Sequence, residues 1–306
     1  MPLFNRVCEI VVGKPDGKAI SIEYLRMEFR IEKSSGTTPN KGIVKIYNMN
    51  TESRALVETV NNIVIIKAGY EQDSGAITLF TGTTTRSLSI KDGPDIVTEL
   101  ELNDGVIPFR DAKVSLSYPP NTPALTVLSG VADAFGLVIK SSISGITNKN
   151  YSSGFAFAGK VRDAMNKVCQ FLDIEWSIQN NEIQIIKKGG VFADTAVVLS
   201  SDTGMIGYPM REAKSMTEKA AAKKGVKYPQ AGVVRRKIML EGDEKQKLEV
   251  QGYKVKSLLN PLIYPGSYVQ LNSFGIDGEF FRVESCDYVG DTHGADWYVE
   301  ATLRFI

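Results

Sequence analysis

The residues best suited to chemistry lie in one short stretch near the end of the sequence. It holds three aspartates around the single histidine of the chain: Asp287, Asp291, His293 and Asp296. Carboxylate oxygens beside an imidazole can bind a divalent cation. Two glycines in the same stretch indicate a tight turn, where aspartate commonly accepts hydrogen bonds from its own backbone. We therefore favour a turn, with a partner contact and a metal site as alternatives, and predict no metal ligand.

Glu99 and Glu101 have the residue types that glycoside hydrolysis requires. Residues two apart on a strand point to the same face of a sheet, so we expect both on a solvated face. The sequence has no spacing pattern of a phosphate-binding loop, a serine nucleophile elbow or a paired-cysteine motif. We therefore predict no catalytic residue, no cofactor and no enzymatic activity.

Residues 211–237 carry nine basic and two acidic side chains. Such a run could contact phosphates, but single-strand binders also use aromatic stacking platforms, and Tyr228 is the only aromatic residue here. A solvated insertion at about residues 211–242, or an arm that binds a protein partner, is favoured, and nucleic-acid contact is the alternative. Within it, the alanines of Met210–Lys224 indicate a helix.

The bulk composition narrows the class of protein. The 306 residues carry a net charge of +1, which selects neither nucleic acid nor membrane as a partner. The cysteines are odd in number and widely separated, which fits reduced thiols: Cys8, Cys169 and Cys286. The first residues lack the apolar stretch of a signal peptide, and no apolar run is long enough to span a membrane.

Hydrophobic spacing indicates which elements must position these residues. The first 105 residues alternate as strands do, with a bulged strand at Ser21–Ile31 and a short helix at Thr51–Asn61. Helical spacing at Thr122–Gly136 and Gly159–Leu172 changes the pattern, and a hairpin with an Asn-Asn turn follows. From about residue 193 the chain returns to strands.

The end of the chain repeats its beginning at an offset of 201 residues. Five identities fall at this offset without a gap: Phe80 and Phe281, Gly93 and Gly294, Asp95 and Asp296, Glu99 and Glu300, Leu102 and Leu303. We therefore predict that residues 63–102 and 266–303 form the same β-module. Regular strands with one short helix favour closed or nearly closed antiparallel barrels.

These patterns predict a mainly β protein with two antiparallel β-barrels around a small α+β domain. The predicted domains are a first barrel at 1–105, the α+β domain at 106–192, and a second barrel at 193–306 that carries the basic insertion.

Several segments resemble baseplate or tail hub proteins of tailed bacteriophages, the late-control type. The similar blocks are Gly42–Met49, Lys67–Tyr70, Leu79–Gly82, Ser200–Pro209, Ser257–Gly266 and Gly290–Trp297. Their order and spacing span all three regions. The resemblance implies barrels similar to tail-tube proteins, and a ring of three chains that adapts the six-fold tail tube to the three-fold central spike and lines the DNA-ejection channel.

The resemblance also implies partners and a location. These are two further copies of the chain, the spike, the tube or tube-initiator protein, other baseplate proteins, and phage DNA that passes without sequence-specific binding. No membrane insertion is expected. The location is the virion tail baseplate, assembled in the host cytoplasm. A tail-tip peptidoglycan hydrolase and a β-rich receptor-binding protein remain the alternatives.

Overall fold

The computed structural model describes residues 5–14, 17–73, 75–141, 146–192, 195–216 and 247–306. Most of these residues form antiparallel strands, and the helices concentrate between two strand-rich parts. The prediction of a mainly β fold with an α+β middle part is therefore confirmed.

The first strand-rich part, which we call the first β-module, contains one helix among seven strands. Its elements are β1 (Arg6–Gly13), β2 (Ala19–Ile22), β3 (Met27–Ser34), β4 (Lys41–Tyr47), α1 (Thr51–Val57), β5 (Ile63–Tyr70), β6 (Gly75–Asp92) and β7 (Asp95–Asn103). The strands are ordered β3-β4-β7-β6-β5-β1-β2. The single strand predicted at Ser21–Ile31 is wrong, because Tyr24 has a left-handed φ of 61° in a turn that separates β2 from β3.

The middle unit packs two helices on a small sheet. Its elements are α2 (Val106–Asp111), β8 (Lys113–Tyr118), β9 (Thr122–Pro123), α3 (Ala124–Asp133), β10 (Val138–Ser141), β11 (Asn150–Tyr151), β12 (Phe155–Lys160), α4 (Val161–Leu172), β13 (Ile174–Gln179) and β14 (Glu182–Lys187). Asn180 and Asn181 both have positive φ, which a two-residue hairpin turn of this kind requires. No helix in the described part of the chain is both long and apolar enough to cross a membrane.

Helix α4 shows why the middle unit folds as it does. Its buried residues recur every three or four positions and so face one side: Val161, Ala164, Met165, Val168, Cys169 and Leu172. This side packs with α3 and with β13 in a core separate from that of the β-modules. Trp176 on β13 lies in this core, and its indole N–H donates to Asn166 Oδ1 at 2.8 Å.

The second β-module follows the middle unit. Its strands are β15 (Ala196–Leu199), β16 (Met205–Met216), β17 (Lys247–Leu258), β18 (Tyr268–Ser273), β19 (Ile276–Asp291) and β20 (Trp297–Phe305). Five of them have the order β16-β17-β20-β19-β18, which repeats the order β3-β4-β7-β6-β5 of the first β-module. The two modules differ beyond this point, because β1 pairs with β5 antiparallel whereas β15 pairs with β18 parallel.

Two β-bulges fix the equivalence between the modules. β6 has extra residues at Leu79 and Thr85, and β19 has them at Gly278 and Glu284. Both bulges correspond at an offset of 199 residues, whereas the return strands β7 and β20 correspond at 201. The gapless offset from the sequence is therefore wrong for β6, because the turn of the second β-module is two residues longer. The sequence offset of 201 pairs Phe80 with Phe281, but in the structure these two phenylalanines lie two residues apart in the aligned strands.

The two β-modules share one sheet and one core. β19 pairs with β3, which joins the strands of both modules into a sheet of 13 strands. The buried side chains of both modules form a single cluster across this junction.

Candidate functional site

The turn between β19 and β20 contains the histidine and aspartates that the sequence suggested. The Asp291 carboxylate accepts a hydrogen bond from the His293 backbone N–H at 2.8 Å and forms an ion pair with Arg26 at 3.0 Å. The Asp291 N–H donates to the Asp296 carbonyl at 2.7 Å. Asp291 therefore closes the turn, which agrees with the favoured interpretation.

These aspartates and the histidine do not form one ligand set. Burial alone would raise the pKa of Asp291, but hydrogen bonds from the His293 N–H and from Arg26 hold it below its usual value. Asp287 lies earlier on β19, where burial and the nearby Glu32 raise its pKa. Across the described ranges, no three Asp, Glu, His or Cys side chains are arranged to hold a metal ion.

Glu99 and Glu101 lie on the same face of β7, as the alternation predicted. Glu99 pairs with Lys45 on β4 at 3.7 Å, and Glu101 pairs with Arg86 on β6 at 2.7 Å. Both carboxylates therefore belong to ion pairs that cross the surface of the sheet.

Most of the predicted basic insertion lies in residues 217–246, outside the described residues. The helix predicted at Met210–Lys224 is wrong for residues 210–216, which form the end of β16 and pair with β17. Backbone pairing with a neighbouring strand outweighs the high helix propensity of lysine and alanine in this segment.

Buried polar side chains attach the middle unit to the first β-module, and sequence reasoning missed them. Asp104 is fully buried and accepts hydrogen bonds from the Asn40 backbone at 2.7 Å, the Asn40 amide at 2.9 Å and the Asn180 backbone at 3.2 Å. Lys33 Nζ donates to Asn180 Oδ1 at 2.9 Å and to the Leu79 carbonyl at 3.0 Å. The Asn-Asn turn is the only part of this network with a local sequence signal.

Burial controls the charges in this network. It raises the pKa of Asp104 to about 6 and lowers the pKa of Lys33. The contact between the middle unit and the second β-module has a different chemistry, since Arg282 pairs with Glu175 at 2.7 Å. The middle unit is therefore attached to both β-modules.

We call the pairing of β19 with β3 the seam. Tyr288 lies opposite Ile31, and both side chains are buried. On the other face, Arg30 approaches Asp287 at 3.7 Å. One edge of β19 thus carries two partners in succession, because residues 276–282 pair with β18 and residues 285–291 pair with β3.

The equivalent edge of β6 has only one of these partners. β6 pairs with β5 as far as Thr83, and in the described chain its residues 86–92 pair with β7 alone. β16 ends the sheet and likewise has a partner strand on one side only within that part of the chain. Uncovered edges bind further strands, so these two edges are the candidate interaction site.

Solved structures share this fold. A tail protein from Neisseria meningitidis MC58 aligns with a TM-score of 0.60 at 12% identity, over 98% of this chain and 97% of that one. The 43 kDa tail protein of prophage MuSo2 from Shewanella oneidensis aligns with a TM-score of 0.57 at 12% identity, over 97% and 98%. A type VI secretion component from E. coli, similar to the phage T4 tail proteins gp27 and gp5, aligns with a TM-score of 0.53 at 9% identity, over 96% and 76%.

No curated protein matches the sequence. Residues 7–220, more than half of the chain, match the family described as baseplate hub gp41. This range includes the first β-module, the middle unit and β16. It agrees with the phage-tail fold of the solved structures and with the resemblance seen in the sequence. The chain therefore belongs to the baseplate hub gp41 family.

Proposed function

We propose that three copies of this chain form a ring in the phage tail baseplate. The ring adapts the six-fold tail tube to the three-fold central spike and lines the channel through which DNA is ejected. The protein has a structural role in the virion and catalyses no reaction. It is assembled in the host cytoplasm.

The repeated strand order carries this proposal. Each chain supplies two equivalent β-modules, and the seam holds them side by side in one sheet. Three chains therefore supply six modules, which can follow the symmetry of a six-fold tube. The modules differ in their cores and turns, so the same ring has only three-fold symmetry where those differences are exposed.

The division of labour follows the three regions. The two β-modules, predicted as barrels at 1–105 and 193–306, form the ring and contact the tube or tube-initiator protein, and the domain predicted at 106–192 presents a separate surface. The spike and other baseplate proteins bind the surfaces at which the two β-modules of each chain differ, because the ring has only three-fold symmetry there. The predicted insertion at 211–242 begins within β16, whose strand runs to Met216, and the proposed role of the remainder is a partner contact.

The sheet face turned away from the core suits a DNA channel. Acids and bases alternate on it in cross-strand pairs: Lys45–Glu99, Arg86–Glu101, Lys256–Glu300 and Arg30–Asp287. Tight binding to DNA depends on cations that neutralise phosphates. Cations already paired with carboxylates bind phosphates weakly, so DNA is not held tightly as it passes. Sequence-specific binding would need contacts to base edges, and we propose that the channel makes none.

The number of copies in assembled tails tests the proposal. Quantitative mass spectrometry of purified tails, with the spike as an internal standard, is expected to give three copies, and electron cryomicroscopy is expected to show a three-fold ring. Six copies or one copy per tail would overturn the ring of three. The purified chain is also expected to leave peptidoglycan intact in a zymogram, and clearing that is lost in Glu101→Gln would favour the hydrolase.

A further inference from the structure

We infer that the uncovered edge of β6 pairs with β16 of a second copy of this chain, antiparallel, with Ser89 opposite Arg211. This inference rests on the proposed ring and specifies how neighbouring chains meet in it. The seam inside each chain is the template for the contact between chains.

The equivalence of β6 and β19 gives the first half of the register. The two shared bulges place β6 and β19 at an offset of 199 residues, so Ser89 corresponds to Tyr288. In the seam, Tyr288 lies opposite Ile31 of β3. Ser89 therefore has the place on β6 that Tyr288 has on β19 in the seam. Its partner must be the β16 residue that corresponds to Ile31.

The equivalence of β3 and β16 gives the second half. Gly42 pairs with Leu102, and Tyr253 pairs with the corresponding Leu303. On their other sides, Gly42 pairs with Ile31 and Tyr253 pairs with Arg211. Arg211 thus corresponds to Ile31. Repeating the seam between chains places Ser89 opposite Arg211.

The side chains at these edges fit the register. The next pair along is Ile90 opposite Met210, and both point away from the core. Their exposures in the single chain are 51% for Ile90 and 66% for Met210. Leu88, two residues away on the same face, is 47% exposed. Exposed apolar side chains on an uncovered strand edge favour pairing with another strand, and the proposed contact covers them together.

The other end of the sheet is a poorer candidate. β2 is also an edge strand, but it has only four residues, and short edge strands resist pairing. The shared strand order of the two β-modules includes no counterpart of β2. The template that the seam provides therefore applies to β6 and β16.

Disulfide trapping in assembled tails tests the register. The double variant Ile90→Cys with Met210→Cys is expected to give covalent dimers and trimers on non-reducing gels after mild oxidation, because directly opposite Cβ atoms lie about 4.5–5.5 Å apart. Two matched double variants serve as controls: Leu88→Cys with Met210→Cys, and Ile43→Cys with Met210→Cys. Ile43 has similar exposure on the same face but lies within the sheet. Both controls are expected to cross-link at least fivefold less. Background is low because burial raises the pKa of each native thiol to about 12.

The outcomes separate the two proposals. A three-fold ring without the Ile90–Met210 cross-link, or with equal cross-linking of the Ile43 control, overturns the register and leaves the ring intact. A covalent ladder that continues past three chains overturns the ring. As a second measurement, Ile90→Lys is expected to reduce incorporation into tails at least tenfold, whereas Ile43→Lys leaves incorporation unchanged. Normal incorporation of Ile90→Lys in correctly folded protein also overturns the pairing.

Discussion

The two β-modules share a strand order but fill their cores from different positions. In the first, the Phe80 ring lies over two glycines, since a Cβ at Gly82 would be 2.4 Å from the ring and one at Gly42 would be 3.4 Å from it. In the second, the corresponding positions carry Phe281 and Tyr253, whose rings meet edge to face at 5.4 Å. One aromatic ring with two glycines therefore occupies the space that two aromatic rings share in the other module. Topology constrains the volume to be filled, and several residue choices satisfy it.

The modules also differ in what surrounds them. The second covers the edge of β19 with β3 of the first, whereas the matching edge of β6 lacks such a partner in the described chain. The middle unit meets the first module through buried hydrogen bonds around Asp104 and meets the second through the pair of Arg282 and Glu175. Repeated structure thus carries unequal contacts, and these contacts can be perturbed one module at a time.

The largest expected effect separates the two cores. Phe80→Ala should lower the free energy of unfolding by about 4 kcal/mol, because no neighbouring side chain stands at Gly42 or Gly82 to fill the cavity. Phe281→Ala should cost about 3 kcal/mol, since Tyr253 and Phe305 lie beside it and can close part of the space. Urea unfolding measures both. Equal losses, or a larger loss for Phe281→Ala, would contradict the asymmetry.

The next effect tests the contact with the first module. The pKa of Asp104 is about 6 in the folded chain against an ordinary value of 3.8, so between these pH values the folded chain binds more protons than the unfolded chain. The stabilising contribution of the protonated group is complete below about pH 4 and is lost as pH rises through 6. The difference is about 3 kcal/mol, at 1.36 kcal/mol per pKa unit.

The measurement compares unfolding free energies of the native chain and Asp104→Asn from pH 4 to pH 7. Asparagine does not titrate, so the stability difference between the two proteins should change with pH in the stated direction. A difference that stays constant over this range would show that Asp104 titrates normally in the folded protein.

A smaller effect is expected at the contact with the second module. Glu175→Gln leaves the Arg282 guanidinium, which is almost fully buried, without its carboxylate. The cost should be about 2 kcal/mol, below that of a fully buried pair because Glu175 itself is about one-third exposed. Glu182→Gln is the matched control, since its pair with Lys140 is more exposed and should contribute less than about 1 kcal/mol. Similar losses for both variants would contradict a structural role of the Arg282 pair.

Local features of the fold were predictable from the sequence. The Asn-Asn hairpin and the apolar side of α4 depend on neighbouring residues alone, so their positions could be predicted. The turn at Tyr24 was missed because the alternation of apolar residues continues through it. The offset of 201 hid a longer turn, because a glycine and an aspartate recur at this offset after the two added residues, and a phenylalanine happens to recur at it before them.

Long-range features were not predictable. Asp104 and Asn180 are distant in sequence and have ordinary neighbours, so nothing local marks the buried network. In the described part of the chain, the edges of β6 and β16 are uncovered because no strand pairs with them, and recognising this requires the strand order. The aspartates and histidine of the last turn illustrate the opposite case, since residues close in sequence face different partners in the fold.

The smallest effect compares the turns of the two modules at corresponding positions, Asp291 and Asp92. The Asp291 carboxylate accepts from the His293 N–H and pairs with Arg26, whereas Asp92 is exposed in a turn two residues shorter. Asp291→Ala should cost about 1–2 kcal/mol through loss of the turn hydrogen bonds, and Asp92→Ala less than about 0.5 kcal/mol. Because the pKa of Asp291 is lowered in the folded chain, its contribution is present above about pH 4 and is lost as pH falls below that value.

His293→Ala keeps the backbone N–H, so it should cost at most about 1 kcal/mol and leave assembly unchanged. Thermal unfolding at pH 7 and pH 3 measures all three variants, and a cost for His293→Ala above that of Asp291→Ala would mean that the imidazole, not the carboxylate, holds the turn.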